Sequence, residues 1–211
     1  MDASGSIDDD EFRLQREGYA EAVTSSRVVS AIRSGPRRAV AIAMVEWGAP
    51  GGAATVVPWM RVTDAVSAER LAEAILAAPR SSQSYNAIGD AIDHSVQLIR
   101  RAPLRAPRRV IDLSGDGPDM RSIRSVAVAR AEALAAGITI NALAIVGRAA
   151  RPNIDRYYED EVIAGPGAFV VTARDRRELT GAILQKLERE IAGIDGPRRF
   201  TATAALPTSG K

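Results

Sequence analysis

Apolar positions along the chain recur at two spacings that take turns, and the alternation predicts an α/β fold. From Asp8 to about Ile32, Phe12, Tyr19, Val23 and Ile32 are among the apolar positions of a helical stretch. The acidic run Asp8-Asp9-Asp10-Glu11 opens it, well placed at the positive end of a helix dipole. Residues 39–47 form a nearly continuous apolar run, as in a strand buried on both faces. Residues 53–59 contain Pro58, which confines that strand to a sheet edge, and the two runs are close enough to pair as a hairpin. Helices are predicted over 67–78 and 87–100, then a strand over 109–113 that runs into Ser114-Gly115-Asp116-Gly117. A helix over 123–136 stops at Gly137, and a strand over 138–146 follows at once, making a βαβ unit. A short helix at about 154–162, a strand over 168–172 and a last helix opened by Asp175 and Glu178 complete the pattern. Leu179, Ile183, Leu187 and Ile191 line one face of that helix. Beyond Gly193 the composition turns to Pro, Thr, Ser and Gly, so residues 1–193 read as one domain and 194–211 as a flexible tail.

Alternating strands and helices imply a mostly parallel sheet covered on both faces, and such sheets bind ligands outside the carboxyl ends of their strands. Asp2 and Asp116 both fall where a strand should just have ended, so neighbouring strands would bring both carboxylates to one crevice. Asp2, Ser4 and Ser6 set a carboxylate and two hydroxyls at alternate positions. That pattern suits a hard cation such as Mg²⁺ or Mn²⁺, which takes about six small oxygen ligands. The same residues also serve as caps for the helix that follows. The loop Ser81-Ser82-Gln83-Ser84-Tyr85-Asn86 is rich in oxygen donors and is placed to close the site.

Composition narrows the field. A chain of 211 residues with 46% hydrophobic content is long enough to bury a proper core, and no apolar run approaches the roughly 20 residues that span a bilayer. Without cysteine, thiolate metal sites and thiol nucleophiles drop out together. Lysine and arginine number 28, but they are mostly scattered and aromatics are only 4%, so nucleic acid is not an expected partner. The local cluster between Arg100 and Arg109 reads as a solvated loop. His94, the single histidine, lies between Asp93 and Ser95, but adjacent helical residues point in different directions, and no G-x-S-x-G elbow opens a helix. No strand is followed by G-x-G-x-x-G, so a dinucleotide site is not expected either. Asp119 reads as the N-cap of the helix near Ile123, with an acid that supports the metal ligands as the alternative, and Asp112 has no assigned role. Tyr157 and Tyr158, beside Glu159, Asp160 and Glu161, read as part of a half-buried short helix, and Trp47 and Trp59 as packing residues.

Asp2-Ala3-Ser4-Gly5-Ser6, an oxygen-bearing residue ahead of Ala91-Ile92, and Asp116 after an apolar strand together resemble the metal-ion-dependent adhesion site of von Willebrand factor A domains. Arg16-Glu17-Gly18-Tyr19, Val45-Glu46-Trp47, the stretch from Arg109 to Pro118 and that from Gly165 to Val171 resemble an uncharacterised bacterial family of such domains, domain of unknown function 1194. The likeness runs over roughly residues 2 to 193. It implies a Rossmann-like, three-layer α/β fold with one antiparallel edge strand and a divalent cation, Mg²⁺ or else Mn²⁺ or Ca²⁺, at the top of the sheet. Ser4 and Ser6 would bind the metal, while Asp2 and Asp116 would bind it or hold its waters. A protein partner's Asp or Glu would supply the last ligand, for adhesion or assembly without catalysis.

Two departures from that pattern matter. Where Gly-Gly-Thr is expected the chain has Ser84-Tyr85-Asn86, so Asn86 would replace a threonine ligand by an amide, with Ser84 as its substitute, and Tyr85 brings bulk where glycine lets the backbone approach. The first central strand, which should end in the Asp2 motif, is truncated at Met1. The expectation is that the true start lies upstream, with Met1 a GTG valine codon read as initiator. A signal peptide and a periplasmic or secreted location would follow from such a start. The rival reading is an enzyme: Gly115-Asp116-Gly117-Pro118-Asp119 matches the GDGxxD pattern of haloacid-dehalogenase-like phosphatases. Those enzymes place an acid two residues beyond the nucleophilic Asp, and here that position is Ser4. A metal-independent interaction scaffold is the third reading.

Overall fold

In the computed structural model, residues 1–146 and 153–192 are described; the tail expected over 194–211 lies outside them. The order is α1 (Asp9–Thr24), α2 (Ser26–Ser34), β1 (Val40–Glu46), β2 (Ala54–Val62), α3 (Ala65–Ala77), α4 (Ile88–Arg100), β3 (Arg109–Gly115), α5 (Val126–Ala135), β4 (Ile138–Ile145), α6 (Ile154–Tyr157), a π-helical turn (Tyr158–Val162), β5 (Val170–Ala173) and α7 (Arg176–Ala192). Strands β3, β4 and β5 pair in parallel, and β1 and β2 form an antiparallel hairpin. The two groups meet at one end through residues 1–3. Asp2 bridges Trp47 in parallel sense, and its N–H donates to the Ser114 carbonyl at 3.1 Å.

Helices cover both faces, giving three layers. Leu143 and Ile145 of β4 pack with Val23 of α1, Val28 and Ile32 of α2, and Leu179 and Ile183 of α7. Ile140, Ala142 and Ala144, on the other face, pack with Ile88, Ile92 and Val96 of α4, Ala129 and Ala133 of α5, and Tyr158. A strand buried on both faces is apolar at successive positions, and β4 is buried along nearly its whole length, with Thr139 and Asn141 the polar residues in its run.

Four expectations are corrected. The single helix over residues 8–32 is two helices, because Ser25 takes an extended ψ of 140° and its side chain accepts from the Val28 N–H to cap α2. Thr24 turns its hydroxyl back onto the Ala20 carbonyl at 3.0 Å; neighbouring hydroxyl residues thus offer the backbone an alternative to a continuous helix. The cap of α5 is Ser125, not Asp119, and α5 begins at Val126. Strand β1 is only half-buried over most of its length, since β2 covers one edge and the edge toward β3 stays open. Pro58 sits where the β1–β2 register shifts, between Val57 opposite Met44 and Met60 opposite Ile42, so its missing N–H interrupts no ladder.

Charged groups tie the layers together. Arg16 of α1 and Glu46 of β1, both buried, are joined at 2.5 Å, and Arg16 also donates to the Ile75 carbonyl. The other Glu46 oxygen accepts from the Ser81 N–H at 2.6 Å. Lys186 of α7, also buried, meets Asp112 of β3 and lies 3.0 Å from Glu190, which accepts from Asn141 at 2.8 Å; Asp112 thereby gains a structural role. Burial holds the Lys186 ammonium below its ordinary pKa, and Glu190 opposes that shift.

Removing one partner of a buried ion pair leaves the other charge uncompensated, at a cost of about 3–5 kcal/mol. Arg16→Ala should therefore lower the unfolding free energy in urea by about 3 kcal/mol. A loss of less than about 1 kcal/mol, the range of exposed pairs, would show that the pair does not bind α1 to the sheet.

Candidate metal centre

Three loops converge at the carboxyl ends of β1 and β3: residues 2–7, residues 81–87 ahead of α4, and residues 116–122 after β3. In the first, Asp2 is fully buried. Its Oδ1 accepts from the Ser4 N–H at 2.8 Å and its Oδ2 from the Asp116 N–H at 3.4 Å. The turn closes as the Ile7 N–H donates to the Ser4 carbonyl at 3.2 Å. Ser4, also buried, has its hydroxyl 3.0 Å from that of the exposed Ser6, and Ser6 Oγ donates to Asp116 Oδ1 at 3.0 Å. Asp2, Ser4, Ser6 and Asp116 therefore form one connected cluster, as their spacing in the sequence suggested.

The second loop brings Asn86 to the same place. Its carbonyl accepts from Ile88 at 2.9 Å and from Met120 at 2.7 Å, which fixes it against the third loop. A Cβ on Gly117 would lie 2.5 Å from Asn86 Nδ2, so glycine is needed there for the amide to sit beside Asp116. Asn86 is buried, and its Oδ1 has no hydrogen-bond partner. A buried carbonyl oxygen left without a donor costs on the order of 1–3 kcal/mol, unless something supplies the missing contact. Ser84 offers its backbone instead, its carbonyl accepting from the Gly5 N–H at 3.1 Å.

Tyr85 causes no crowding, because its ring turns outward beneath the Arg121 guanidinium, 4.8 Å from the ring centre. The close backbone approach is made by Gly48, after β1, where a Cβ would lie 2.8 Å from the Tyr85 carbonyl and 3.1 Å from the Ser4 Cα.

Electrostatics mark the cluster. Burial, and then repulsion from Asp116, push the Asp2 carboxyl up to about 7; burial raises Asp116 as well. Two adjacent carboxyl groups removed from water hold a proton at pH values where they would normally be ionised. Among the described residues, no group of three or more His, Cys, Asp or Glu side chains is gathered so as to hold a metal. The available donors are two carboxylates, two hydroxyls and an amide oxygen, all hard oxygens suited to Mg²⁺, Mn²⁺ or Ca²⁺.

Several supports carried no signal in the sequence. Tyr158, buried completely, donates its hydroxyl to the Gly117 carbonyl at 3.2 Å, and Tyr157 accepts from the Asp119 N–H at 3.1 Å. Asp90, in the first turn of α4, accepts from Gly51 at 2.8 Å, Ile123 at 3.0 Å and Arg124 at 2.8 Å. Arg80 spans Asp9 at 2.6 Å and the Ile7 carbonyl at 2.8 Å. The acidic run itself works locally: Asp8 caps α1 and pairs with Arg176 at 2.5 Å.

Neither enzymatic pattern assembles. Asp119 turns away to accept from the Gly89 N–H at 3.2 Å and to meet the Ser122 hydroxyl. His94 contacts Thr55 at 2.9 Å, while Asp93 pairs with Arg124 at 3.5 Å and Ser95 donates to Ala91 at 2.7 Å.

Solved structures share this architecture. The proximal thread matrix protein 1 of the mussel byssus, with a zinc-occupied metal-ion-dependent adhesion site, matches over 91% of this chain and 46% of its own, at 17% identity and a TM-score of 0.67. A von Willebrand factor type A protein from Catenulispora acidiphila matches over 90% of this chain and 41% of its own, at 20% identity and a TM-score of 0.60. The von Willebrand factor domain of the type V pili tip protein Mfa5 from Porphyromonas gingivalis matches over 96% of both chains, at 9% identity and a TM-score of 0.57. The chain thus spans less than half the length of the first two, and at these identities the likeness shows the fold alone. No curated protein matches the chain. A family model, described as protein of unknown function (DUF1194), matches residues 1–195. The chain belongs to that family, and its fold is that of a von Willebrand factor A domain.

Proposed function

We propose that the three loops bind one divalent cation, and that the cation recognises a carboxylate on a protein partner, with no reaction catalysed. One observation carries the reading: Ser4 Oγ, Ser6 Oγ and Asp116 Oδ1 follow one another at 3.0 Å and 3.0 Å. Ligands at right angles around Mg²⁺, each about 2.0–2.1 Å from the metal, are about 2.9 Å apart, whereas around Ca²⁺ they are about 3.3–3.7 Å apart. The spacing suits Mg²⁺ or Mn²⁺ with little rearrangement. Ser4 and Ser6 would coordinate through their hydroxyls, Asp116 and Asp2 directly or through water, and Asn86 through its unpartnered Oδ1. With Asp2 bound through water and Asp116 as the one carboxylate in direct contact, the ion would keep positive charge that the hydroxyls and the amide do not cancel. Ser6 and Ser84, both exposed, mark the side open to solvent, where an Asp or Glu of another protein can complete the shell. The zinc-occupied site of the mussel protein supports divalent binding on this fold.

Calorimetric titration tests the reading. Mg²⁺ and Mn²⁺ should bind at one saturable site; Asp116→Ala should abolish the signal while leaving the circular dichroism spectrum unchanged, and Asn86→Ala should weaken affinity about tenfold. Undiminished binding by a folded Asp116→Ala protein would place the ion elsewhere.

The raised Asp2 carboxyl gives a second expectation. With a chelator present, Asp2 keeps in the folded chain a proton that the unfolded chain releases near pH 4, so its own contribution to stability is complete below pH 4 and is lost as pH rises to about 7, while the Met1 ammonium, which burial lowers to about 5, acts in the opposite sense above pH 5. Saturating Mg²⁺ should flatten that decline, because the ion favours the ionised form. The difference in urea midpoint between the chain and its Asp2→Asn variant, followed from pH 4 to 7.5, isolates the Asp2 contribution; a difference that moves in favour of the unsubstituted, chelated chain as pH rises would contradict the assignment.

A further inference from the structure

The end of the sheet opposite the metal centre carries a different chemistry. Strand β1 starts there at Val40 and β3 at Arg109, β2 ends there at Val62, and α2 and α4 finish there at Ser34 and Arg100. The segments that join these elements are rich in arginine. Residues 35–39 contribute Arg37 and Arg38, β2 contributes Arg61 opposite Ala41, and residues 101–109 contribute Arg101, Arg105 and Arg109. All six are exposed. Arg37, Arg61, Arg105 and Arg109 line one opening together with Leu104. Residues 1–3 separate β1 from β3 at the other end, so β2, β1 and β3 span three strand spacings, about 14 Å. A patch of that width fits an extended anionic surface better than one small anion.

The patch is a local excess of charge. The whole chain carries a formal charge of only +2, yet the ion pairs among the described residues involve none of these six arginines. At the metal end, by contrast, surface arginines are matched: Arg13 lies 2.7 Å from Asp10, Arg80 2.6 Å from Asp9 and Arg176 2.5 Å from Asp8. Two acids at the basic end are engaged elsewhere, since Asp64 caps α3 and the buried Glu190 holds Lys186 and Asn141. Like charges gathered without counter-charges repel, and a surface of opposite sign relieves that repulsion.

The turn before β3 adds an apolar element. Arg108 donates to the Glu190 carbonyl and so ties this turn to the end of α7. In its middle Leu104 is 42% exposed, between Pro103 and Arg105. An apolar side chain among guanidinium groups suits the boundary of lipid headgroups and acyl chains, where the charges meet phosphate and the leucine leaves water. Guanidinium forks match phosphate oxygens two at a time. Nucleic acid offers phosphates too, but among the described residues the exposed aromatic ring is that of Tyr85, at the metal end, so no exposed ring stands here to stack on a base.

We infer that this arginine-rich end docks onto an anionic phospholipid surface, with the six arginines on headgroup phosphates and Leu104 at the acyl boundary. The contact is peripheral, since among the described residues no helix is long and apolar enough to cross a membrane. A chain seated this way turns its three loops away from the lipid, toward a protein partner. That last consequence rests on the metal-site reading above, and the lipid contact itself does not.

Flotation of the whole chain with vesicles tests the inference, in chelator so that no cation bridges protein and lipid. Vesicles of phosphatidylcholine and phosphatidylglycerol in equal parts should bind it, and phosphatidylcholine alone should not. Each basic residue at an anionic surface is worth about fivefold in partition, so Arg101→Gln combined with Arg105→Gln should weaken binding about twentyfold. Leu104→Ser should weaken it severalfold. Arg13→Gln combined with Arg156→Gln removes the same charge from exposed sites on α1 and α6, and should leave binding within about twofold. An unchanged circular dichroism spectrum establishes that each variant is folded. Equal binding to both kinds of vesicle, or equal losses in the two double variants, overturns the proposal. So does tighter binding to a DNA duplex at the same salt that is insensitive to Leu104→Ser, which would make nucleic acid the occupant. Binding to the anionic vesicles by a chain that takes up no Mg²⁺ would retain the lipid contact and reject the metal-site reading.

Discussion

Asp2 and Asp116 face one another at the ends of two adjacent strand positions, Asp2 buried and Asp116 half-buried, and the surrounding loops are arranged around that conflict. Two carboxylates in contact repel, and burial makes the repulsion stronger. The protein answers with the N–H groups of Ser4 and Asp116 and the hydroxyl of Ser6, which is less positive charge than two ionised acids require. A divalent cation, as proposed, would resolve the shortfall more completely than a proton does. A single physical demand thus links the raised carboxyl groups, the hydroxyls at 3.0 Å and the unpartnered Asn86 oxygen.

Holding three loops to such tolerances falls to residues well removed in sequence. Glu46 joins α1 to the start of the second loop through Arg16 and the Ser81 N–H. Asp90 gathers backbone donors from the β1–β2 turn and the stretch before α5. Tyr157, at the end of α6, and Tyr158, at the start of the π-helical turn, brace the third loop, and such a turn is an irregular element of the kind often found beside functional sites. Glycine serves where backbones touch, at Gly48 between the first two loops and at Gly117 against Asn86.

Much of this was legible in the sequence because it is local. Period and length mark β4 and α7, and Gly137 ends its helix with a φ of 65° as a left-handed terminator should. Asp2, Ser4 and Ser6 announce themselves by alternate spacing, and Asp116 by its place after an apolar strand. What escaped depends on choices between similar residues or on contacts across the fold. Ser125 and Asp119 are both plausible caps, and tertiary contacts with α4 take Asp119. Ser25 breaks a stretch whose apolar spacing continues through it. The half-exposed β1 reads as a central strand because its composition is that of one, and the open gap beside it accounts for the difference. Nothing near Tyr158 in sequence shows that its hydroxyl reaches Gly117.

The central claim is that these loops hold one cation between Ser4, Ser6 and Asp116, with Asn86 beside it. Anomalous diffraction at the manganese edge, from crystals grown with Mn²⁺, tests it most directly. The account predicts a single strong peak in contact with the Ser4 and Ser6 hydroxyls and next to Asp116. A peak at another position, or none at a Mn²⁺ concentration that saturates any binding seen in solution, would contradict it.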